Sequence, residues 1–330
     1  LPLSISIAFA GATPAVALDC PPLLHSADTG GKLSPSTGYL TEVQSLSATA
    51  AHTIDDLPKY LSDSLGPETM QAIRDRRSLL IVEGDGPDAM KVLKEQGWTI
   101  EHEVEKPVGF HRVHRISKDG EVRYAITRVN GEDRVIHLQS FLRLANVEAH
   151  RVQTIRNYRN WHPEYLSAFT QAGHKPDLVI YGLTPHVEGT FIDTNGLLDR
   201  PYHYLKRSDP GPGESDIAMR PFKIVHLEDG RKVWLFYPLY GDLAREMVQA
   251  LYDAGARKIL FLGTAGGVDP ALKVGDWVSP ISKATGKSKV SKRASYVRVS
   301  TPNIETEAWL REQNRRKTGM IEVEAGYVME

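Results

Sequence analysis

The feature that most constrains the fold is an apolar segment that runs into a cluster of glycines. Residues 258–280 read KILFLGTAGGVDPALKVGDWVSP. The apolar half predicts a buried strand. Because Gly263, Gly266 and Gly267 carry no side chain, a ligand could approach backbone N–H groups there, beside the hydroxyl of Thr264. The pattern predicts a ligand site at the carboxyl end of a sheet strand, although on spacing alone a sharp turn explains the glycines equally well.

The elements around this segment are typical of an α/β domain. Residues 178–182 form an apolar run closed by glycine, as in a buried parallel strand that ends at a ligand-facing loop. The stretches 223–227 and 232–237 predict a β-hairpin. Residues 241–256 have the pattern of an amphipathic helix. Residues 305–316 predict another helix, with acidic residues first and basic residues last.

The preceding part of the chain, residues 67–165, predicts a smaller α+β unit. Between 98 and 141, alternating segments are separated by Asp119-Gly120 and Asn130-Gly131. Both dipeptides suit tight hairpin turns, so this stretch predicts an antiparallel meander of three or four strands. The other predicted elements are helices at 67–76 and 87–96, an apolar strand at 79–82, and a helical region at 146–173.

The composition excludes two classes of function. Lys and Arg number 40 against 41 Asp and Glu, so the formal net charge is -1 and no overall positive field would hold nucleic acid or an anionic membrane. The single cysteine, Cys20, excludes an intrachain disulfide framework and a cysteine-rich metal site. We therefore expect no nucleic-acid partner. His102, His111, His114 and His137 lie on predicted strands and could converge on a metal, but solvent-facing or core histidines explain them better, so we expect no metal site.

The first 18 residues predict a targeting segment. The sequence LPLSISIAFAGATPAVAL carries no charge and ends in Ala15-Val16-Ala17, which places small residues at the two positions that a signal peptidase reads. The run is too short, and too broken by glycine and proline, to be a transmembrane segment. A buried first strand or a disordered leader is the alternative. We expect a signal peptide at 1–18, a periplasmic or secreted protein, and an irregular arm at 19–66.

Two motifs in order along the chain resemble one enzyme family. The run GTAGGVDPALKVGDWVSP is similar to the signature of the purine nucleoside phosphorylase and uridine phosphorylase superfamily, which includes the methylthioadenosine nucleosidases and AMP nucleosidase. Residues 321–325, IEVEA, resemble the Val-Glu-Met-Glu-Ala strand end of that family. The resemblance covers about residues 175–330. It implies a three-layer αβα domain with a central mixed sheet, preceded by the smaller α+β extension, and a homo-oligomer.

The resemblance also implies which residues bind substrate. Gly263 and Thr264 match positions that hold the ribose or the nucleophile, and Glu324 matches the glutamate that binds the ribose 2′ and 3′ hydroxyls. Val323 takes the place of the usual methionine. The substrate-binding residues implied in this way are Gly182, Gly241, Gly263, Thr264, Ala265, Gly266, Gly267, Glu322, Val323 and Glu324.

The reaction implied is cleavage of the N-glycosidic bond of a nucleoside or nucleotide through an oxocarbenium-like transition state. Phosphorylases of this family place an arginine where this chain has Phe261, so hydrolysis is favoured over phosphorolysis. We expect no cofactor, with inorganic phosphate a co-substrate only if the enzyme is a phosphorylase. Water activation requires a nearby base. Glu188 is the first candidate and His186 the second, and a surface glutamate is an equal alternative for Glu188.

Two departures from the family pattern leave a non-catalytic alternative. Only about forty residues separate Pro280 from Glu322, whereas typical members use about twice that interval to build the base pocket. The family's Ser-Asp pair, whose aspartate assists departure of the base, would lie beyond Glu330, where we expect the chain to be truncated. A nucleoside-binding or regulatory module with a degenerate pocket is therefore the alternative function, and a purely structural protein is a third.

Overall fold

The chain folds into two mixed sheets with packed helices. The computed structural model describes Val43 and residues 3–11, 46–47, 49–105, 111–171, 175–182, 222–227, 229–236, 239–274, 276–280 and 292–329. Within these ranges one sheet has nine strands and the other five. This confirms a general α/β fold, and the three-layer phosphorylase-like architecture stays a prediction. No helix in the described ranges is both long and apolar enough to cross a bilayer.

The five-stranded sheet belongs to the amino-terminal unit and has the order β3-β4-β5-β2-β6. Strands β3, β4 and β5 pair antiparallel, whereas β2 runs parallel to β5 and β6. This confirms a meander of three strands. Its strands are β2 (Leu79–Glu83), β3 (Thr99–Glu105), β4 (Arg112–Lys118), β5 (Glu121–Val129) and β6 (Val152–Ile155), and its helices are α1 (Leu57–Leu65), α2 (Pro67–Arg74), α3 (Gly86–Glu95) and α4 (Glu132–Leu144).

Two sequence predictions in this unit were wrong. Asn130-Gly131 does not form a hairpin turn, because Gly131, at φ 85°, directly precedes α4. The acidic first turn of α4 and its buried apolar side chains at helical spacing favour a helix instead. The region 146–173 is not one helix either. It contains β6, which pairs with β2 and extends the buried parallel part of the sheet, before α5 (His162–Gln171) begins.

The nine-stranded sheet contains the glycine segment. Along the order β12-β11-β1-β10-β7-β9-β8, strand β10 is parallel to β7, which is parallel to β9. Strands β8 and β9 pair antiparallel, so the predicted hairpin is confirmed. The strands are β1 (Leu3–Gly11), β7 (Leu178–Gly182), β8 (Phe222–His226), β9 (Lys232–Phe236), β10 (Lys258–Gly267), β11 (Trp277–Pro280), β12 (Lys292–Ala294), β13 (Tyr296–Arg298) and β14 (Met320–Glu322).

The amino-terminal segment takes part in this sheet. Strand β1 pairs antiparallel with β10 over nine residue pairs and parallel with β11 over two. This placement agrees with the first-strand alternative for residues 1–18. The signal peptide and export stay predictions.

Apolar side chains from three helices cover one face of the nine-stranded sheet. These are α5, α6 (Leu243–Asp253) and the short α8 (Ala325–Met329). Helix α6 confirms the predicted amphipathic helix, and α7 (Glu307–Arg315) confirms the last predicted helix. The largest buried side chains of this core are Trp161, Tyr165, Phe169, Tyr181, Trp234, Phe236 and Phe261. The packing holds the ends of β7 and β10 at fixed positions beside α6.

A buried carboxyl in this core makes the stability of the sheet depend on pH. Glu246 Oε2 accepts the backbone N–H of Trp161 at 2.7 Å, just before α5 begins, and Oε1 is buried without a hydrogen-bond partner. Burial raises the pKa of Glu246 to about 7. Because this value lies above the ordinary 4.5, protonation favours the folded state, and the stabilisation is lost as pH rises through 7.

We expect Glu246→Gln to gain stability relative to the wild type as pH rises. A shift of one pKa unit is worth about 1.4 kcal/mol, so the difference in free energy of unfolding should move by about 1 kcal/mol in favour of the variant between pH 6 and pH 8. Urea denaturation at both pH values measures this. The exposed Glu95→Gln is the control. If the difference in free energy of unfolding between Glu246→Gln and wild type were the same at pH 6 and pH 8, the Glu246 carboxyl would be solvated.

Candidate functional site

The two sequence motifs lie side by side in the structure. The glycine end of β10 pairs antiparallel with β14, with Gly266 opposite Ile321 and Gly267 opposite Met320. A Cβ added at Gly263 would lie 3.4 Å from Glu322 Oε1. Strand β10 therefore brings its glycines next to the strand that leads into Glu324.

Side chains on successive strand residues point to opposite faces, so the glycine segment has two distinct surfaces. We call the surface formed by Thr264, Gly266 and Ile321 the Thr264 face. Thr264 is exposed. Val323 packs beside Ile321, Val299 and Ile304 in a small apolar cluster. The predicted ligand-binding residues Thr264, Gly266 and Val323 are therefore on the same side of the sheet.

The opposite surface is part of the core. Ala265 packs against Met320, and Glu322 is only 2% exposed. Glu322 Oε2 accepts the backbone N–H of Ala325 at 2.5 Å, which satisfies the first turn of α8. Burial and the neighbouring Glu324 raise the pKa of Glu322 well above its ordinary value. The geometry gives Glu322 and Ala265 packing roles beneath the site.

Glu324 is connected to the chain before α6. The backbone N–H of Gly241 donates to Glu324 Oε1 at 3.2 Å. Burial raises the pKa of Glu324, and the Gly241 N–H and the positive charge of Arg134 oppose that rise. Arg134 lies 3.8 Å from the ring centroid of Tyr240. Glu324 therefore has an arginine from the amino-terminal unit as an electrostatic neighbour.

Reciprocal contacts between two glycines and two aspartates join the units. Asp242 accepts the backbone N–H groups of Glu132 and Asp133 at 2.9 and 3.3 Å, at the amino terminus of α4. A Cβ on Gly131 would lie 2.5 Å from Asp242 Oδ1, and one on Gly241 would lie 2.4 Å from Asp133 Oδ2. We call this contact the glycine–aspartate seam. It positions Arg134 near Glu324.

Gly182 brings the end of β7 against β10. A Cβ at this position would lie 1.7 Å from the carbonyl oxygen of Leu262, and its φ of 132° is a conformation that favours glycine. The close approach of the two backbones leaves no room for a side chain. Gly182 therefore has a packing role next to the site.

Glu305 is a residue that the sequence analysis missed as a site residue. It lies between a 3₁₀ turn at Pro302–Ile304 and α7. A Cβ on Gly266 would lie 3.6 Å from Glu305 Oε1, so its carboxyl covers the Thr264 face. Burial raises the pKa of Glu305 to about 7. No local pattern indicates this role, because the sequence places Glu305 only at the start of a predicted helix. Arg134 was missed for the same reason.

The predicted catalytic residues and a metal site do not contribute to the arrangement at β10. Glu188 and His186 lie outside the described residues. In the parts of the chain that the structure describes, no group of three or more His, Cys, Asp or Glu side chains could hold a metal ion.

A cavity of about 340 Å³ lies on the five-stranded sheet next to Trp98. Its cations already have partners, since Lys118 donates to Gln96 and Arg123 to Gln153. We therefore place the candidate site at β10.

Comparison with known proteins identifies neither a family nor a relative for this chain. No protein-family model matches the sequence. No curated protein matches it at a significant level either. A function is therefore inferred from the motifs and their arrangement in the fold.

Proposed function

We propose that the chain cleaves the N-glycosidic bond of a nucleoside or nucleotide and that it belongs to the nucleoside phosphorylase superfamily. The observation that carries the proposal is the adjacency of the two motifs, with the glycine end of β10 paired to β14 just before Glu324. The proposal includes the three-layer domain, a homo-oligomer and export.

The site has groups suited to an oxocarbenium-like transition state. Such a state carries positive charge on the sugar, which a carboxylate stabilises. Glu324 can also accept hydrogen bonds from two adjacent sugar hydroxyls, and charge-assisted bonds of this kind are stronger than neutral ones. Thr264 presents a hydroxyl on the open face of the glycine segment.

Hydrolysis is preferred to phosphorolysis because Phe261 provides no charge for phosphate. Its ring is 1% exposed and packs in the core with Tyr181. A Cβ on Gly263 would lie 2.8 Å from Phe261 Cζ, so the aromatic ring fills the space beneath the glycine. Glu188 and His186 stay proposed as catalytic residues. Inorganic phosphate is a co-substrate only if the reaction proves to be phosphorolysis.

Incubation of the purified chain with a panel of nucleosides and nucleotides tests the proposal. We expect free base to appear without phosphate, as measured by chromatography and mass spectrometry. Product that requires phosphate and includes a sugar 1-phosphate would indicate a phosphorylase. Nucleoside binding without product, measured by calorimetry, would instead favour the non-catalytic binding module.

Glu324→Gln should lower kcat/KM by about 100-fold, because the amide loses the negative charge but keeps an oxygen that accepts the Gly241 N–H. Each lost charge-assisted hydrogen bond is worth about 1.5–3 kcal/mol. The exposed Glu95→Gln is the matched control. Equal activity of Glu324→Gln and wild type would remove Glu324 from the substrate site.

A further inference from the structure

We infer that Glu305 transfers a proton in the reaction of this site and that the ligand binds on the Thr264 face. The inference rests on the proposed function, adds a catalytic residue that neither motif contains, and gives to Glu305 the activation of water for which the sequence favoured Glu188. It also selects one of the two surfaces of β10 as the substrate surface.

The Glu305 carboxyl lies against the glycine end of β10. Glu305 Oε1 lies directly over Gly266, 3.6 Å from an added Cβ, which is ordinary van der Waals contact. Thr264 is two residues away on the same strand, and side chains at this spacing share a face about 7 Å apart. A ligand lying along this face would contact the Thr264 hydroxyl and the Glu305 carboxyl together. Glu322 cannot serve here, because it is on the opposite face and its carboxyl accepts from Ala325.

Glu305 is held in place from two directions. Its carbonyl oxygen accepts the backbone N–H of Thr53 at 3.2 Å and the Thr53 hydroxyl at 2.9 Å. The preceding Asn303 donates to Ser140 of α4 at 2.8 Å, and its carbonyl lies 2.7 Å from His52 Nε2. Both the arm and the amino-terminal unit therefore fix this segment. A reacting group needs such support to keep its geometry.

The environment of the Glu305 side chain also suits proton transfer. Glu305 is 7% exposed, and its carboxyl makes no hydrogen bond with another described residue. Burial raises its pKa to about 7. Among the described residues, Tyr60 is a titratable neighbour, and its pKa is raised by its own burial and by the charge of Glu305. A carboxyl that titrates near neutral pH can both accept and release a proton during turnover.

The proton transfer balances with water as the only co-reactant. The Glu305 carboxylate takes a proton from water while the water oxygen bonds to the anomeric carbon. The bond from that carbon to the base nitrogen breaks, and its electron pair leaves with the base, which takes a proton from solvent. Glu305 then releases its proton to solvent, so the products are the free sugar and the free base.

The test compares Glu305→Gln and Glu305→Asp with wild type, using the exposed Glu307→Gln as the matched control. We expect wild-type kcat to fall as pH drops through about 7, because the carboxylate becomes protonated. Glu305→Gln should lose about 100-fold in kcat and this pH dependence, while nucleoside affinity changes little. Glu305→Asp should recover part of the rate. Circular dichroism and thermal unfolding verify that each variant is folded.

The outcomes separate the inference from the function on which it rests. Normal kcat in folded Glu305→Gln, or a pH profile unchanged from wild type, would overturn the role of Glu305 and leave the proposed function in place. Wild-type protein that binds nucleosides but releases no base would overturn both. A loss of affinity alone, with kcat and its pH profile retained, would give Glu305 a binding role and overturn proton transfer.

Discussion

Gly182→Ala should destabilise the chain by more than about 4 kcal/mol and leave little soluble protein. The added methyl group would lie 1.7 Å from the carbonyl oxygen of Leu262, a backbone atom that cannot rotate away. The φ of 132° adds strain for any residue with a side chain. Since β7 pairs in parallel with β10, relief of this contact would require the two strands to separate. Soluble yield and urea denaturation measure the effect.

Gly230→Ala is the matched control for this prediction. Gly230 also has a positive φ, of 84°, but a Cβ there would meet nothing within 4 Å. The substitution adds conformational strain without a clash, so we expect a loss of about 1 kcal/mol. Similar stabilities for Gly182→Ala and Gly230→Ala would contradict the close approach of β7 and β10.

Arg156→Met should destabilise the amino-terminal unit by about 3 kcal/mol at neutral pH. Arg156 Nε donates to Glu83 Oε2 at 2.8 Å, and Glu83 is 1% exposed. Removal of one partner of a buried ion pair leaves an uncompensated charge, which typically costs about 3–5 kcal/mol. The backbone N–H of Asn157, which donates to the same oxygen at 3.2 Å, reduces the loss slightly. Urea denaturation measures the change.

The loss of stability caused by Arg156→Met should become smaller as pH falls. Burial raises the pKa of Glu83 and Arg156 opposes that rise, so removal of Arg156 raises this pKa further. Protonation of Glu83 at lower pH then removes the unpaired charge. Adding Glu83→Gln should recover part of the stability at pH 7. Arg311→Met, which breaks an exposed pair with Glu307, should change stability little. Equal effects of the two arginine substitutions would contradict the buried pair.

Local sequence patterns predicted correctly the helices and strands whose pattern of apolar residues matches their burial in the fold. The apolar runs of β7 and β10, the β8–β9 hairpin and the amphipathic α6 were all readable from short stretches of sequence. The prediction was wrong at Asn130-Gly131, where a dipeptide typical of turns precedes a helix. The turn propensity there is overridden because Asp242, distant in sequence, caps α4.

The sequence predicted only those residues of the candidate site that belong to the two motifs. The resemblance predicted that the two motifs belong to one site, and strand pairing places Gly266 opposite Ile321, in the strand that leads into Glu324. Nothing near Glu305 or Arg134 in the sequence indicates a role in the site, because long-range contacts position both. Resemblance also treated Glu322 and Glu324 alike, whereas Glu322 is 2% exposed and its carboxyl accepts the backbone N–H of Ala325.

The glycine–aspartate seam makes the substitutions that one unit can accept depend on the residues of the other unit. Each unit supplies one glycine and one aspartate, and each aspartate fills the space that the other unit's glycine leaves open. A side chain at Gly131 would displace Asp242 and one at Gly241 would displace Asp133, and the positive φ of the two glycines, 85° and 62°, adds backbone strain to either substitution. A change at either glycine therefore disturbs an aspartate of the other unit, so neither unit could be exchanged for an unrelated one by recombination without losing the arrangement around Glu324.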